Sequence, residues 1–350
     1  MLWLNLLYYK LVNMKVLITG AGGYIGSVGV YLFLQKGYKV AALDNFSTGF
    51  RQPLEVLQER FGKGRLFYYK ADISRKDQLK KIFTEHPDIF AVVHYAASCK
   101  VDESMKNPYL YFSNNTCGGL VLLETMEEFG IKKIVFSSTC AVYGESEYVP
   151  VDEKHSLNPT NPYGESKLML EKIIQWYSRL KGFDYVILRY FNVCGASDDG
   201  LIGDSKKPSV LLVQNAVRGA LGLSRFYLTA AKVNTPDKTP IRDYINVVDL
   251  NEAHIKALEL MKKNKEISEV FNLGTGTGNS VLEIIEQIQK ITGKKFLIHS
   301  SPPRKGEYAK IFADISKAKK ILDWKPKRSI KDSVESLIKW YKRNPDGWAY

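Results

Sequence analysis

Tyr163 and Lys167 stand four residues apart, just after Pro162, in the stretch Thr160-Asn-Pro-Tyr-Gly-Glu-Ser-Lys-Leu-Met-Leu170. Residues i and i+4 share one helix face, so phenol and ammonium point into the same space. That geometry suits proton chemistry on a hydroxyl. A free phenol titrates near ~10 and is a poor base at neutral pH, but a fixed positive charge beside it favours the phenolate. The spacing alone does not establish such a role, because Tyr and Lys four apart more often form a solvated helix face. The neighbouring residues decide. Leu168, Leu170, Ile173, Ile174 and Tyr177 recur at helical spacing and put the pair near the start of a long helix.

A second group of residues concerns phosphate. Lys15 to Thr19 reads as a short buried strand, Gly20, Gly23 and Gly26 follow in the loop Gly20-Ala-Gly-Gly-Tyr-Ile-Gly26, and Val28 to Leu34 reads as a helix closed by Gly37. Strand, glycine loop and helix together form a diphosphate cradle. Glycines let backbone N–H groups approach, and the helix N-terminus favours negative charge. Lys39 to Leu43 reads as the next strand and ends at Asp44, eighteen residues past Gly26. An acid there accepts the adenosine ribose hydroxyls and repels a 2′-phosphate, which favours NAD over NADP.

The remaining elements set these groups in place. Strands are expected at 66–70, 89–94, 134–136 and 185–189, with helices near 74–84 and 105–128. Asp72 and Ile73 follow the first of these strands as an expected adenine contact. Tyr95, Ala96 and Ala97 follow the second, small enough for a ligand to approach closely, and Ser137 to Thr139 lie at the tip of the third. The alternation predicts an α/β fold with a parallel doubly wound sheet of Rossmann type, whose ligands lie off the strand C-termini. A nucleotide-binding domain over 14–194 and a smaller, discontinuous α/β substrate lobe over 195–350 are expected. Strands are expected over 243–249 and 270–273, and segments near 243–251 and 270–274 are expected to return to the first domain. Helices are expected near 210–221, 281–292 and 330–341.

Composition narrows the classes. An apolar fraction of 45% and a charged fraction of 25% are ordinary for a soluble globular chain. The net charge of +13 is spread along the whole chain and comes with no nucleic-acid module, so it reads as a lysine-rich surface that tolerates anionic substrates. Cys99, Cys117, Cys140 and Cys194 show neither zinc nor disulfide spacing, which fits a reducing cytoplasm and no metal. The apolar residues 1–13 are too few to span a bilayer and lack the marks of a signal peptide. They read as an N-terminal extension, with Met14 as an alternative start.

Taken together, these motifs resemble the extended short-chain dehydrogenase/reductase superfamily and, within it, the UDP-galactose (UDP-glucose) 4-epimerases. The resemblance runs from Lys15 to about Trp324. It adds Arg189-Tyr-Phe-Asn192, the Pro236 to Asn246 segment around Arg242, the Asn272 to Ser280 run and Leu322-Asp-Trp-Lys-Pro326 to the motifs above. It implies an NAD-dependent isomerase that oxidises the sugar transiently at C4, turns the 4-keto intermediate over and reduces it again. By this resemblance Tyr163 is the general base and acid, Lys167 binds the nicotinamide ribose and lowers the phenol pKa, and Thr139 bonds the sugar 4-hydroxyl. Tyr24, Ile25, Asp44, Asn45, Asp72, Ile73, Ala96 and Asn114 would line the NAD site, while Phe191, Asn192, Arg242, Arg304 and Glu307 would hold the UDP-sugar. Relatives of this kind are commonly homodimers through paired long helices, here 105–128 and 161–181.

Three positions depart from the family pattern: Cys99 where Lys is frequent, Val210 where Asn or His is usual, and Ile311 where some members carry a pocket-narrowing Tyr. The last leaves epimerisation of an N-acetylated or pentose UDP-sugar open. A dehydratase ranks low, because Cys140-Ala141 follows Thr139 where those enzymes have an acid pair. A non-catalytic NAD-binding protein is disfavoured by the intact Thr139, Tyr163 and Lys167.

Overall fold

Alternating side chains along each strand divide the core into two layers, and the sheet between them carries the site. In the computed structural model Val16 and Ile18 of β1 (Lys15–Thr19) face one layer and Leu17 faces the other. The structure describes residues 14–206, 209–229, 233–302 and 308–348. The expectations for the 1–13 extension, Arg304 and Glu307 lie outside the described residues.

The elements follow in chain order as α1 (Tyr24–Gln35), β2 (Lys39–Asp44), α2 (Gln52–Phe61), β3 (Leu66–Lys70), α3 (Lys76–Glu85) and β4 (Ile89–His94). Next come α4 (Val101–Ser104), α5 (Pro108–Tyr111), a π-helical segment (Phe112–Cys117), α6 (Gly118–Glu128), β5 (Lys133–Thr139), α7 (Pro162–Lys181), β6 (Asp184–Tyr190) and β7 (Asn192–Cys194). The second half contains α8 (Leu212–Ala220), β8 (Phe226–Thr229), β9 (Ile241–Arg242), β10 (Tyr244–Asn246), α9 (Val247–Lys263) and β11 (Ser268–Leu273). It ends with β12 (Asn279–Ser280), α10 (Val281–Thr292), β13 (Ile298–Ser301), β14 (Lys310–Ile311), α11 (Ser316–Ile321) and α12 (Ile330–Arg343).

Seven parallel strands form the main sheet in the order β3-β2-β1-β4-β5-β6-β11. The order reverses beside β1, which opens a crevice at the strand C-termini between β1 and β4. Residues of α1, α2 and α9 cover one face, and residues of α3, α6 and α7 cover the other. A separate core unites α8, α10 and α12 through Val213, Val217, Ile284, Ile288, Leu337 and Trp340. The segment 268–273 pairs with β6 in the main sheet, and β10 pairs with β7.

Three element expectations need correction. The single helix over 105–128 is broken, because Pro108 opens a new helix behind the Asn107 cap and the π-helical turn 112–117 intervenes before α6. The strand over 243–249 ends at Asn246, whose side chain accepts from the Val248 N–H at 2.8 Å and starts α9. Ser137 to Thr139 are the last three residues of β5, paired with Leu188 to Tyr190, rather than a tip beyond the strand.

Candidate functional site

The geometry of the Tyr163–Lys167 pair starts with a helix cap. Asn161 Oδ1 accepts from the Gly164 N–H at 2.9 Å, and Pro162 occupies the first turn of α7, where its missing N–H costs nothing. Tyr163 therefore sits in the first turn, half-buried, with its ring edge-on to Tyr111 at 6.3 Å between centroids. Lys167, one turn on, lies beneath it at 3% exposure. Its Nζ donates to the Ser137 carbonyl of β5 at 2.9 Å and lies 4.9 Å from the centre of the Phe136 ring.

The electrostatics differ from the sequence expectation. Burial pushes the Tyr163 phenol well above its ordinary value, the charges of Cys99 and Tyr190 add to this, and a hydrogen bond from the Thr139 hydroxyl works against it. Burial also lowers the Lys167 ammonium to about 8, against Cys99 and Glu171, which favour its charge. In the chain itself, desolvation outweighs the expected lowering of the phenol by Lys167.

The glycine loop is shaped by close approach. Gly20 has φ +68°, and a Cβ there would come within 2.6 Å of the Ala96 backbone N. A Cβ on Gly26 would lie 2.1 Å from the Gly20 carbonyl oxygen. Gly23 differs: a Cβ there meets only the Gly20 carbonyl oxygen, at 3.3 Å, and Gly23 lines the cavity at the head of α1. Asp44, 8% exposed, accepts from the Gly22 N–H at 2.9 Å and the Phe46 N–H at 2.7 Å. Burial raises its carboxyl, and these backbone bonds oppose the rise.

Gly20, Gly23, Tyr24, Ile25, Gly26, Asp44, Asn45, Ile73, Tyr95, Ala96, Ala97 and Asn114 line one cavity of about 400 Å³, together with Thr139, Tyr163, Lys167, Phe191 and Asn192. Asp72 does not line it. Its carboxylate instead accepts from Asn45 Nδ2 at 2.9 Å and from Ser74 Oγ at 2.6 Å, which orients Asn45. A glycine cradle, a helix start with unpartnered N–H groups and a carboxylate one strand away form a donor and acceptor set that fits a dinucleotide.

A second cavity of about 650 Å³ contains Asn192, Val210, Arg242, Tyr308 and Ile311, and it shares Cys99, Cys140, Ala141 and Asn192 with the first. Arg242 is fixed by donating to the carbonyls of Ile241 at 2.9 Å and Tyr308 at 2.8 Å. The two spaces thus meet at Cys140 and Ala141, directly after Thr139 in the chain.

Sequence reasoning missed Ser47 to Gly49, Ser98, Tyr190, Asp204 and Lys206, which line the first cavity as well. For Ser47 to Gly49 a signal existed. Gly49 follows Asp44 in a polar loop, and a Cβ on it would meet the Gly22 carbonyl carbon at 2.8 Å. Asp204 and Lys206 arrive from the second half of the chain without any local pattern.

Comparison with known proteins agrees with this geometry. Residues 16–274 match the NAD dependent epimerase/dehydratase family. The chain is 39% identical over 338 residues to the UDP-glucose 4-epimerase of Streptococcus mutans, covering 96% of this chain and 99% of that protein. It is 39% identical over 344 residues to UDP-arabinose 4-epimerase 1 of Arabidopsis thaliana, covering 95% of this chain and 81% of that protein. The crystal structure of the Bifidobacterium longum UDP-glucose 4-epimerase, in complex with NAD+ and UDP, superimposes with a TM-score of 0.91 at 36% identity, covering 96% of this chain and all of that one. With its glycine cradle, its Tyr–Lys helix and this likeness over nearly its whole length, the chain belongs to the NAD dependent epimerase/dehydratase family and, within it, to the UDP-sugar 4-epimerases.

Proposed function

We propose that this protein interconverts UDP-galactose and UDP-glucose by inverting the sugar at C4. What supports the reading is that Thr139, Tyr163 and Lys167 line the first cavity, which shares Cys140, Ala141 and Asn192 with the second. Gly20, Gly23, Gly26, Asp44, Asn45 and Asn114 would hold NAD, and Arg242 and Asn192 would hold the UDP part. When bound, NAD would supply the hydride acceptor and donor for the sugar C4. Tyr163 takes the proton from the 4-hydroxyl and gives it back on the other face of the 4-keto sugar. Thr139 bonds that hydroxyl and favours the phenolate. Lys167, steadied by the Ser137 carbonyl, brings a positive charge beneath the phenol. Positioned acid–base groups of this kind are worth ~10²- to 10⁴-fold.

Incubation with UDP-galactose, without added NAD, should yield UDP-glucose with no build-up of free NADH. Tyr163→Phe should lower turnover by at least ~10²-fold while leaving the dinucleotide bound. A variant with near wild-type turnover removes Tyr163 from the chemistry, and steady release of NADH points to a dehydrogenase instead.

Ile311 favours a second substrate. It is 2% exposed on the wall of the second cavity and presents only an aliphatic side chain there, which leaves room for an N-acetyl group. Comparing rates on UDP-galactose and UDP-N-acetylgalactosamine tests this.

The protein is read as a cytoplasmic homodimer. All four cysteines are unpaired thiols, and among the described residues no helix is long and apolar enough to cross a membrane. Met169, Trp176 and Leu180 form an exposed apolar stripe along α7, with Leu120 exposed on the neighbouring α6.

A further inference from the structure

The first cavity has one wall that comes from outside the nucleotide-binding half. Residues 203–206 cross in front of the glycine loop and share a cleft with Gly22, Gly23 and Tyr24. This strap has a fixed base. The Asp204 carbonyl accepts from Trp340 Nε1 at 3.0 Å, the Asp204 carboxylate accepts from Ser209 Oγ at 2.7 Å, and Ser205 Oγ accepts from the Trp348 N–H at 3.1 Å. From this base Lys206 reaches across the cavity. Its Nζ lies 3.3 Å from Cys99 Sγ, on the wall that follows β4, and its charge acts on Asp44 at the end of β2. The Lys206 side chain therefore runs from the cleft beside the glycine loop to the β4 side, where its ammonium lies.

A diphosphate in this cavity belongs over the glycine loop and the head of α1, where unpartnered N–H groups and the helix dipole favour negative charge. The backbone supplies donors there but no full positive charge. Among the described residues lining the cavity, the other ammonium, Lys167, is committed to the Ser137 carbonyl beneath Tyr163. Lys206 is placed to supply the missing cation and to pin the strap across the ligand at the same time.

We propose that Lys206 closes the cofactor cavity over the dinucleotide diphosphate and sets how fast the cofactor leaves. The proposal rests on the reading that this cavity holds NAD. It makes Lys206 a binding residue contributed by the second lobe, so that cofactor retention depends on how the two lobes meet.

The test uses the holoprotein as purified and follows release of NAD into an enzymatic trap that consumes free NAD. Lys206→Gln should release NAD ~10-fold faster or more, the effect of losing one charge-assisted hydrogen bond. Lys206→Arg should stay close to the wild-type rate. A purely structural role for the side chain would let Gln serve as well as Arg. Added salt should speed release from the wild type more than from Lys206→Gln, because only the former has a charge pair to screen. Release from Lys206→Gln at the wild-type rate overturns the proposal. Wild-type protein that binds no dinucleotide overturns the cofactor reading and this proposal with it.

Discussion

Lys167 meets two opposed demands at once. The proposed proton chemistry calls for its charge, and the surrounding core penalises that charge, lowering its pKa from 10.5 to about 8. Between those values the unfolded chain binds more protons than the folded one. The contribution of Lys167 to stability therefore rises with pH across that window, and the full cost of the buried charge applies below about pH 8. Lys167→Met keeps the apolar stem and removes the charge. At pH 7 the dinucleotide-free variant should be more stable than the wild type by at most ~3 kcal/mol, reduced by loss of the bond to Ser137. The gap should close as pH approaches 10. Urea unfolding of both proteins at the two pH values reads this difference directly, and a gap that widens with pH contradicts the sign argued here. Turnover should fall steeply in the same variant, which makes Lys167 a site where function is kept at the expense of stability.

At the level of elements, local chemistry was legible and long-range pairing was not. The limits of β1, β3 and β4 coincide with their apolar runs, since each is bounded by polar or turn residues. The span of α10 is as expected because Ser280 and Glu283 form a capping box at one end and Gly293 takes a left-handed φ of +67° at the other. The break at Pro108 escaped periodicity, since apolar residues keep helical spacing on both sides of it. The gathering of Thr139, Tyr163 and Lys167 was foreseeable from motifs, but the means that fixes β5 against α7 was not. Glu171 accepts from Arg189 Nη2 at 2.6 Å and Nε at 3.0 Å and from the Ser138 hydroxyl, and Arg189 also donates to the Tyr143 hydroxyl at 3.2 Å. Glu171 and Arg189 lie on different elements, and both are almost fully buried. Arg189→Leu leaves the Glu171 carboxylate buried without its partner and should cost ~3–5 kcal/mol. Glu171→Leu combined with Arg189→Leu should cost less than the single change, because no charge is then left unpaired. Urea midpoints for the three proteins decide the matter; a single variant as stable as the wild type would mean that the pair does not anchor the site.

For the molecule as a whole, α7 serves two surfaces. Leu168, Leu170 and Ile174 face the core and fix the helix on the sheet, while Met169, Trp176 and Leu180 face outward. Trp176 is 56% exposed, with the Arg179 guanidinium 5.3 Å from its ring centre. An apolar stripe along a long helix, continued by Leu120 on α6, is the kind of face that monomers rarely leave open. Pairing two copies of α6 and α7 would bury it as a four-helix seam. The same pairing would stiffen the helix that carries Tyr163 and Lys167 in each copy, so assembly and chemistry would share one element. A Trp at the centre of such a seam carries a large part of its energy, ~2 kcal/mol or more, equivalent to ~30-fold in the dissociation constant. Trp176→Glu should therefore shift the protein toward monomer in sedimentation at micromolar concentration, with the cofactor still bound because the substituted side chain faces away from the cavity. A wild-type protein that sediments as a monomer at every concentration, or a Trp176→Glu variant that stays fully dimeric, would place the contact elsewhere.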